Sequence, residues 1–346
     1  MPPEADSAPP GADRRLSEEE LTVVLRSIGE RTTAACERLL ERQVPSECIH
    51  HVEDLSVPES ILRPYEIGVA EDRPWTVVVD ADVLPRPDML ETLLEVGRRE
   101  SESVFAIEAR IRDKFYGGDR VAGNTLYRTD RLETALDIGE RADDEAGRPE
   151  TAIIRLMAER GHELRHASPV VAVHDYEQYY ADVYRTAHGY VNNHEHYVPI
   201  LRSYWERHAP DDGDFRVMLA AADRARGSGA KNANYSERFD NDEVRGLLDD
   251  IGLSEKDELD PEAVSPDRIE RLSTASPPPE FRRCRRLMRI TDSQTWSSLP
   301  RHLRGVVIVA SQIGPARAVP WACGKALAMA GRRIQDIAQG EGDVSV

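Results

Sequence analysis

Lysine is the scarcest charged residue of this 346-residue chain: Lys114, Lys231, Lys256 and Lys325 are the only four, so arginine supplies nearly all of the 45 cations. Against 63 Asp and Glu the formal charge is −18. A chain with that excess of carboxylates does not hold nucleic acid by bulk electrostatics, so no nucleic-acid partner is expected. The same balance suits a protein kept soluble in strong salt or one drawn from a GC-rich genome, and composition leaves both open. Cysteine is scarce too. Cys36, Cys48, Cys284 and Cys323 fall in no CxxC or other metal spacing, which excludes a zinc ribbon and leaves reduced thiols. No run of about 18 apolar residues occurs, and the opening MPPEADSAPPGADRR has no apolar core of a secretory signal. The expectation is a cytoplasmic chain with residues 1–20 as a disordered polar tail.

A hydrophobic share of 40% is nevertheless enough to bury a core. From Leu21 short apolar runs alternate with amphipathic stretches. LTVVL, CIHHVED, TVVVDADV and SVFAIEARI are expected as strands; RTTAACERLLERQ, with Ala35, Leu39 and Leu40 on one face, and RPDMLETLLEVGRR are expected as helices. That rhythm predicts an α/β layered domain with a mainly parallel sheet. Gly123 opens a turn into a short strand, Pro149 starts a helix that Gly161 stops, and SPVVAVHD is the last strand. Residues 179–226 turn helical and rich in Tyr and His, with Tyr179, Tyr180 and Tyr184 spaced to pack over the sheet. His188, His194 and His196 are too far apart along a helix to make a convincing metal set. Residues 227–280 are acidic and Pro/Ser-containing, as in a partly helical linker. Residues 281–346 reverse the charge: from Phe281 to Ala338 ten arginines and Lys325 face only Asp292 and Asp336, a local +9. Two readings of this basic helical segment stay open, contact with an anionic membrane surface or packing on the acidic body.

The most informative string is Asp80-Ala81-Asp82, at the carboxyl end of a Val-rich strand. Ligands of open α/β sheets gather there, and two carboxylates one residue apart can share a hard divalent cation that clamps a diphosphate. VVVDADVL also satisfies the hhhhDxDx(T/V) pattern of haloacid-dehalogenase phosphatases, in which Asp80 would be the nucleophile. In that superfamily the motif sits on the first strand, whereas two strands precede it here, and Lys114 is the only nearby lysine.

Over residues 21–178 the chain more closely resembles a GT-A-fold glycosyltransferase of the family 2 type. The opening strand and helix LTVVLRSIGERTTAACERLLERQ, the acidic-ended HHVEDLS, VVVDADVLPRPDMLETLL, the glycine-led GNTLYRTDRLETA, and PETAIIRLMAERGHELRHASPVVAVHD follow one another in that family's order. The resemblance implies a GT-A domain, Rossmann-like with a mainly parallel central sheet, followed by a mostly helical C-terminal region. It also implies metal-dependent, inverting transfer of a sugar from a nucleotide-diphosphate donor to a glycan or glycolipid hydroxyl, with Mn²⁺ or Mg²⁺ as cofactor.

By the same resemblance, Asp54 and Asp80 would face the donor nucleotide, Asp82 would ligate the metal with Asp80 close by, and His174 would complete that site. Glu150, eleven positions before Gly161, would be the general base, although Pro149 and Thr151 flank it where the family has a Glu-Asp pair. Asp144 and Glu145 are the fallback candidates. The family's Ala-Arg-Asn segment has no counterpart in SVPESILRPYEIGVAEDRPW, where Arg63 is the substitute. The broken pair also allows a non-catalytic protein that binds sugar nucleotide. An acceptor used in bacterial surface polysaccharide or glycolipid synthesis would place the chain peripherally at the inner membrane face.

Overall fold

A computed structural model describes residues 15–141, 149–193, 198–228, 241–278 and 281. The first strand, β1 (Leu21–Ser27), is followed by α1 (Thr33–Glu41), β2 (Ile49–Glu53), α2 (Val57–Glu71), β3 (Trp75–Asp80) and the short β4 (Val83–Pro85). Then come α3 (Met89–Arg99), β5 (Val104–Asp113), β6 (Gly118–Val121), β7 (Asn124–Arg128), α4 (Leu132–Gly139), α5 (Pro149–Glu159) and β8 (Glu163–His174). These strands form one mixed sheet in the order β2-β1-β3-β7-β5-β8-β4, with β6 on β5. β1 lies parallel to β2 and β3, and β5 parallel to β8. β7 runs antiparallel to both β3 and β5, so those two run the same way. β1, β2, β3, β5 and β8 therefore share one direction, and only β4, β6 and β7 reverse it. This is an α/β arrangement with a mainly parallel central sheet, as the sequence predicts.

Alternation along the central strands explains why the sheet is covered on both faces. Val23, Leu25, Val77 and Val79 pack with Leu39, Leu40, Leu90 and Leu94 from α1 and α3. Their neighbours Val24 and Val78 point the other way, into a cluster with Tyr65, Leu132, Ala135 and Ile153 from α2, α4 and α5. α2 lies in a segment whose two prolines hid its helical character. Its start is nevertheless written in the sequence as a capping box, Ser56 and Glu59, with Pro58 tolerated in the first turn.

Helix α2 approaches the sheet closely at Gly68. A Cβ there would overlap Thr76 Oγ1 and come within 2.5 Å of Leu132 Cδ1. Gly→Ala inside an exposed helix gains up to about 1 kcal/mol of propensity, but overpacking a tight contact costs about 1–3 kcal/mol. Gly68→Ala is therefore expected to destabilise the fold by about 1–2 kcal/mol in urea unfolding, with an unchanged m-value.

Beyond β8 come α6 (Tyr180–Asn193), α7 (Val198–His208), α8 (Gly213–Ser228), α9 (Asn241–Asp250) and α10 (Pro266–Thr274). α6 to α9 bury a separate apolar cluster around Tyr184, Leu201, Trp205, Met218 and Leu247, joined by Phe115 and Tyr116 of the β5–β6 turn. The turn is held by polar anchors as well: Trp205 Nε1 donates to Phe115 O (2.8 Å) and Tyr204 Oη to Lys114 O (3.2 Å). The described part of the acidic segment, residues 241–278, is packed. Arg31 donates to Asp257 O (2.7 Å), and Val264 and Ile269 enter the main core. No helix among the described residues is long and apolar enough to cross a membrane. The tail ahead of residue 15 and the basic segment after Phe281 lie outside the described residues.

Candidate active site

Because five strands share a direction, their carboxyl ends meet at one edge of the sheet, where Ser27, Asp80, Asp113 and His174 all emerge. The Asp80-Ala81-Asp82 turn is fixed by its backbone: Asp80 N–H donates to Gly123 O (2.9 Å), Ala81 N–H to Arg26 O (2.9 Å), and Thr32 Oγ1–H to Ala81 O (2.7 Å). Gly123 has φ +62°, and a side chain there would press on Val83 Cγ2 at 2.5 Å and on Asp80 Oδ2 at 3.3 Å. Only glycine meets both demands at low cost.

The two aspartates have different company. Asp80 Oδ1 accepts from Arg26 Nε at 2.7 Å. Although burial alone would lower the Arg26 pKa, Asp80 and then Glu150 raise it, so the guanidinium stays charged. Glu150, in the first turn of α5, accepts from Tyr127 Oη at 3.1 Å. Burial pushes the Glu150 carboxyl up; Arg26 opposes this and the Asp80 carboxylate reinforces it. Glu150 thus belongs electrostatically to the Arg26–Asp80 pair, as a carboxyl held above the ordinary range.

Asp82 instead faces His174, whose Nε2 lies 3.5 Å from Asp82 Oδ2 and whose Nδ1 lies 3.0 Å from both Asp113 Oδ2 and Asp175 Oδ2. Burial would strip the imidazole of its proton, but Asp175 and Asp82 win and raise its pKa well above the usual value. Asp82 is correspondingly lowered by His174 despite burial. Asp113 is the anchor of this cage. Its Oδ1 accepts from the Phe115 and Tyr116 N–H groups (both 2.8 Å) and its Oδ2 from Arg120 Nε (2.5 Å).

One ligand atom each from Asp82, His174 and Asp175 lie within 4.8 Å of one another. Asp82 Oδ1 is buried with no hydrogen-bond partner among the described residues, and Asp175 Oδ2 faces only the His174 Nδ1 at 3.0 Å. Carboxylate oxygens so placed around an imidazole are a fit for a divalent cation that takes the place of the imidazolium proton. Asp80, engaged with Arg26, is not in this group.

Asp54 leaves β2 at the same edge with φ 52°, exposed, its N–H on Ser27 O (3.2 Å). Arg63 sits on the exposed side of α2, paired with Glu66 at 2.7 Å, and no described contact joins it to Asp54 or Asp80. Asp144 and Glu145 lie outside the described residues, as do His194 and His196; His188 is buried and stacks on Tyr184 at 4.5 Å.

Several site residues escaped the sequence reading. Glu30, in the loop after β1, is raised to about 7 by burial and by Asp82. Asp182 on α6 is raised to about 6 by burial, with Asp82 and Asp175 adding to it against Arg185. Asp113 ends a strand that the pattern had located, and the carboxyl-end rule alone singles it out. Arg26, Arg120 and Asp175 had no local signal, because each matters only through partners far away in sequence.

No protein-family model and no curated protein matches the chain. Among solved structures it is similar to a glycosyltransferase involved in glycosylation of the major capsid of PBCV-1, with 13% identity over 46% of this chain and 93% of that one, TM-score 0.33. It is also similar to the mannosyltransferase PcManGT from Pyrobaculum calidifontis in complex with GDP-Man and Mn²⁺, with 12% identity over 86% and 87% of the two chains, TM-score 0.33. A third is 4-diphosphocytidyl-2C-methyl-D-erythritol synthase from Anaerococcus prevotii, with 7% identity over 44% and 89%, TM-score 0.32. At such identities and scores, the chemistry has to be read from this chain's own side chains.

Proposed function

We propose that the chain is a glycosyltransferase of the family 2 type, transferring a sugar from a nucleotide-diphosphate donor to a hydroxyl acceptor with inversion. One observation carries this: a single sheet edge sets a cation-ready group, Asp82, His174 and Asp175, beside a separate carboxyl with a raised pKa, Glu150. Sugar transfer needs both, and needs them in different places.

In this reading Asp54 and Asp80 face the nucleoside, with Arg26 fixing Asp80 and Glu150 taking the acceptor hydroxyl's proton. The Tyr127 O–H orients Glu150, and burial raises its pKa against the opposing pull of Arg26. Asp82, His174 and Asp175 would hold Mn²⁺ or Mg²⁺, which when bound offsets the charge of the departing diphosphate; the nitrogen donor favours Mn²⁺. The acceptor is a glycan or glycolipid hydroxyl, and the basic segment 281–346 is the part of the chain suited to an anionic membrane face. Arg63 is the weakest of the donor-side assignments, given its exposed pairing with Glu66. The phosphatase reading is not retained, since Asp80 is tied to Arg26 and the one nearby lysine, Lys114, to Asp212 and Asp214.

Thermal denaturation with a panel of nucleotide sugars, with and without Mn²⁺, tests this. A donor at 100 times its Kd stabilises the fold by about 2.7 kcal/mol, a shift of several degrees. One donor is expected to stand out, and only with the cation. A flat response across the panel would sink the reading.

A further inference from the structure

A hollow of about 350 Å³ adjoins the acid cage. That volume lies at the small end of ligand sites, which span roughly 300–1,000 Å³. It shares a wall with the cage: Lys114 follows Asp113 and donates its N–H to His174 O (3.1 Å), and Tyr176 and Glu177 follow Asp175. The opposite wall comes from the C-terminal region, through Asp212 and Asp214 at the start of α8 and Lys256, Arg268 and Leu272 beyond it.

The lining is charged but balanced. Lys114, Lys256 and Arg268 face Glu177, Asp212 and Asp214. Lys114 Nζ lies 2.8 Å from Asp212 and 2.5 Å from Asp214, Lys256 Nζ lies 2.5 Å from Asp214, and Arg268 pairs with Glu177. A phosphate or diphosphate would meet as many carboxylates as cations there and would gain nothing from the local charge. A neutral polyhydroxyl ligand fits this lining. Each hydroxyl both donates and accepts, and charged partners make the stronger hydrogen bonds. An ammonium has three N–H groups. Lys114 spends two on its carboxylates, and Lys256 spends two on Asp214 and on Gln178 O (2.6 Å), so among the described residues each keeps one. Tyr176 and Tyr180 add aromatic rings with hydroxyl tips.

Two further observations set this hollow apart from an ordinary surface ion-pair cluster. Asp175 and Glu177 both hold φ 62°, a left-handed strain that non-glycine residues keep where the surroundings impose it. Gly213 leaves room for the Tyr180 hydroxyl, which any side chain at 213 would overlap.

We propose that this hollow is an acceptor subsite that takes a neutral sugar ring. The name of acceptor subsite rests on the transferase reading; the binding of a sugar does not. The test is saturation-transfer NMR on the full chain with methyl hexosides as probes and no nucleotide, repeated with inorganic phosphate, for the wild type, Arg268→Gln and Tyr180→Phe. Both positions are partly exposed, and equal unfolding midpoints establish that the variants fold.

At least one methyl hexoside is expected to bind, about tenfold more weakly in either variant, as loss of a hydrogen bond to a charged or phenolic group implies. The nucleotide-sugar shift with Mn²⁺ is expected to be unaltered in both. No hexoside binding, equal binding to all three proteins, or phosphate binding in the sugar's place would overturn the proposal. Hexoside binding without any donor shift would support the sugar site and remove the transferase; a donor shift without hexoside binding would remove only the subsite.

Discussion

Glu150→Gln is expected to lower sugar transfer by about 10²–10⁴-fold while leaving donor affinity within a few-fold of the wild type. The substitution is nearly isosteric and keeps an oxygen for the Tyr127 hydroxyl, so α5 has no reason to move. Arg26 loses one of its two carboxylate neighbours but keeps Asp80 at 2.7 Å, so the donor side stays intact. What disappears is the ability to accept a proton. Initial rates against donor concentration separate the two effects, because a lost base lowers kcat and leaves the donor Kd alone. The wild-type pH profile carries an independent sign. A base works only when ionised, and burial holds Glu150 above the ordinary carboxylate range of about 4.3. Activity should therefore fall as pH drops through a midpoint above that value, and the limb should be absent from the residual activity of the Gln variant. An unchanged kcat in Glu150→Gln would move the base elsewhere, and a variant that binds no donor would show that the charge serves binding instead.

Much of the sheet was legible because its strands obey simple rules. The unbroken valines of β3 are what a strand covered on both faces requires, and the carboxylates at its end fall where such sheets bind ligands. Counting back from Gly161, a helix stop that the structure keeps at φ +86°, puts Glu150 in the first turn of α5; its role as base stays a proposal. The helix α2 was missed because Pro58 and Pro64 argue against helix, while the capping box at Ser56 and Glu59 argues for it; the box decides the start, and the tertiary contacts of Tyr65 carry the helix past Pro64. The grouping of Asp175, Arg120 and Asp113 was hidden for a different reason. Their importance is a property of charges assembled from β5, β6 and β8, and nothing local in sequence marks residues 113, 120 and 175 as neighbours. The acidic segment after residue 240 reads as a linker from its acidic, Pro/Ser-containing composition, yet its apolar residues are used: Val244, Leu247 and Leu248 enter the helical cluster, and Val264 and Ile269 the main core.

Two substitutions in the cage, each a carboxylate changed to its amide, should have opposite consequences, and the reason is how completely each carboxylate is satisfied. Asp113 is wholly buried and holds Arg120, His174 and two backbone N–H groups. Asp113→Asn keeps an oxygen for the backbone but leaves the half-buried Arg120 guanidinium without its fully buried partner, and an arginine cannot relieve itself by losing its proton. Breaking a buried pair from one side costs about 3–5 kcal/mol, so the unfolding midpoint should fall by roughly 10 °C. Asp82 has one oxygen 3.5 Å from His174 and the other buried with no hydrogen-bond partner among the described residues, so its carboxylate is only partly satisfied by the protein. Asp82→Asn should therefore change stability by no more than about 1 kcal/mol. It should abolish the Mn²⁺-dependent part of the nucleotide-sugar shift, because a neutral amide is a weak ligand for a hard cation. Calorimetry on both variants, with and without Mn²⁺ and donor, distinguishes the anchor from the ligand. A stable Asp113→Asn protein, or an Asp82→Asn protein that retains the cation-dependent shift, would show that the two roles have been assigned to the wrong carboxylates.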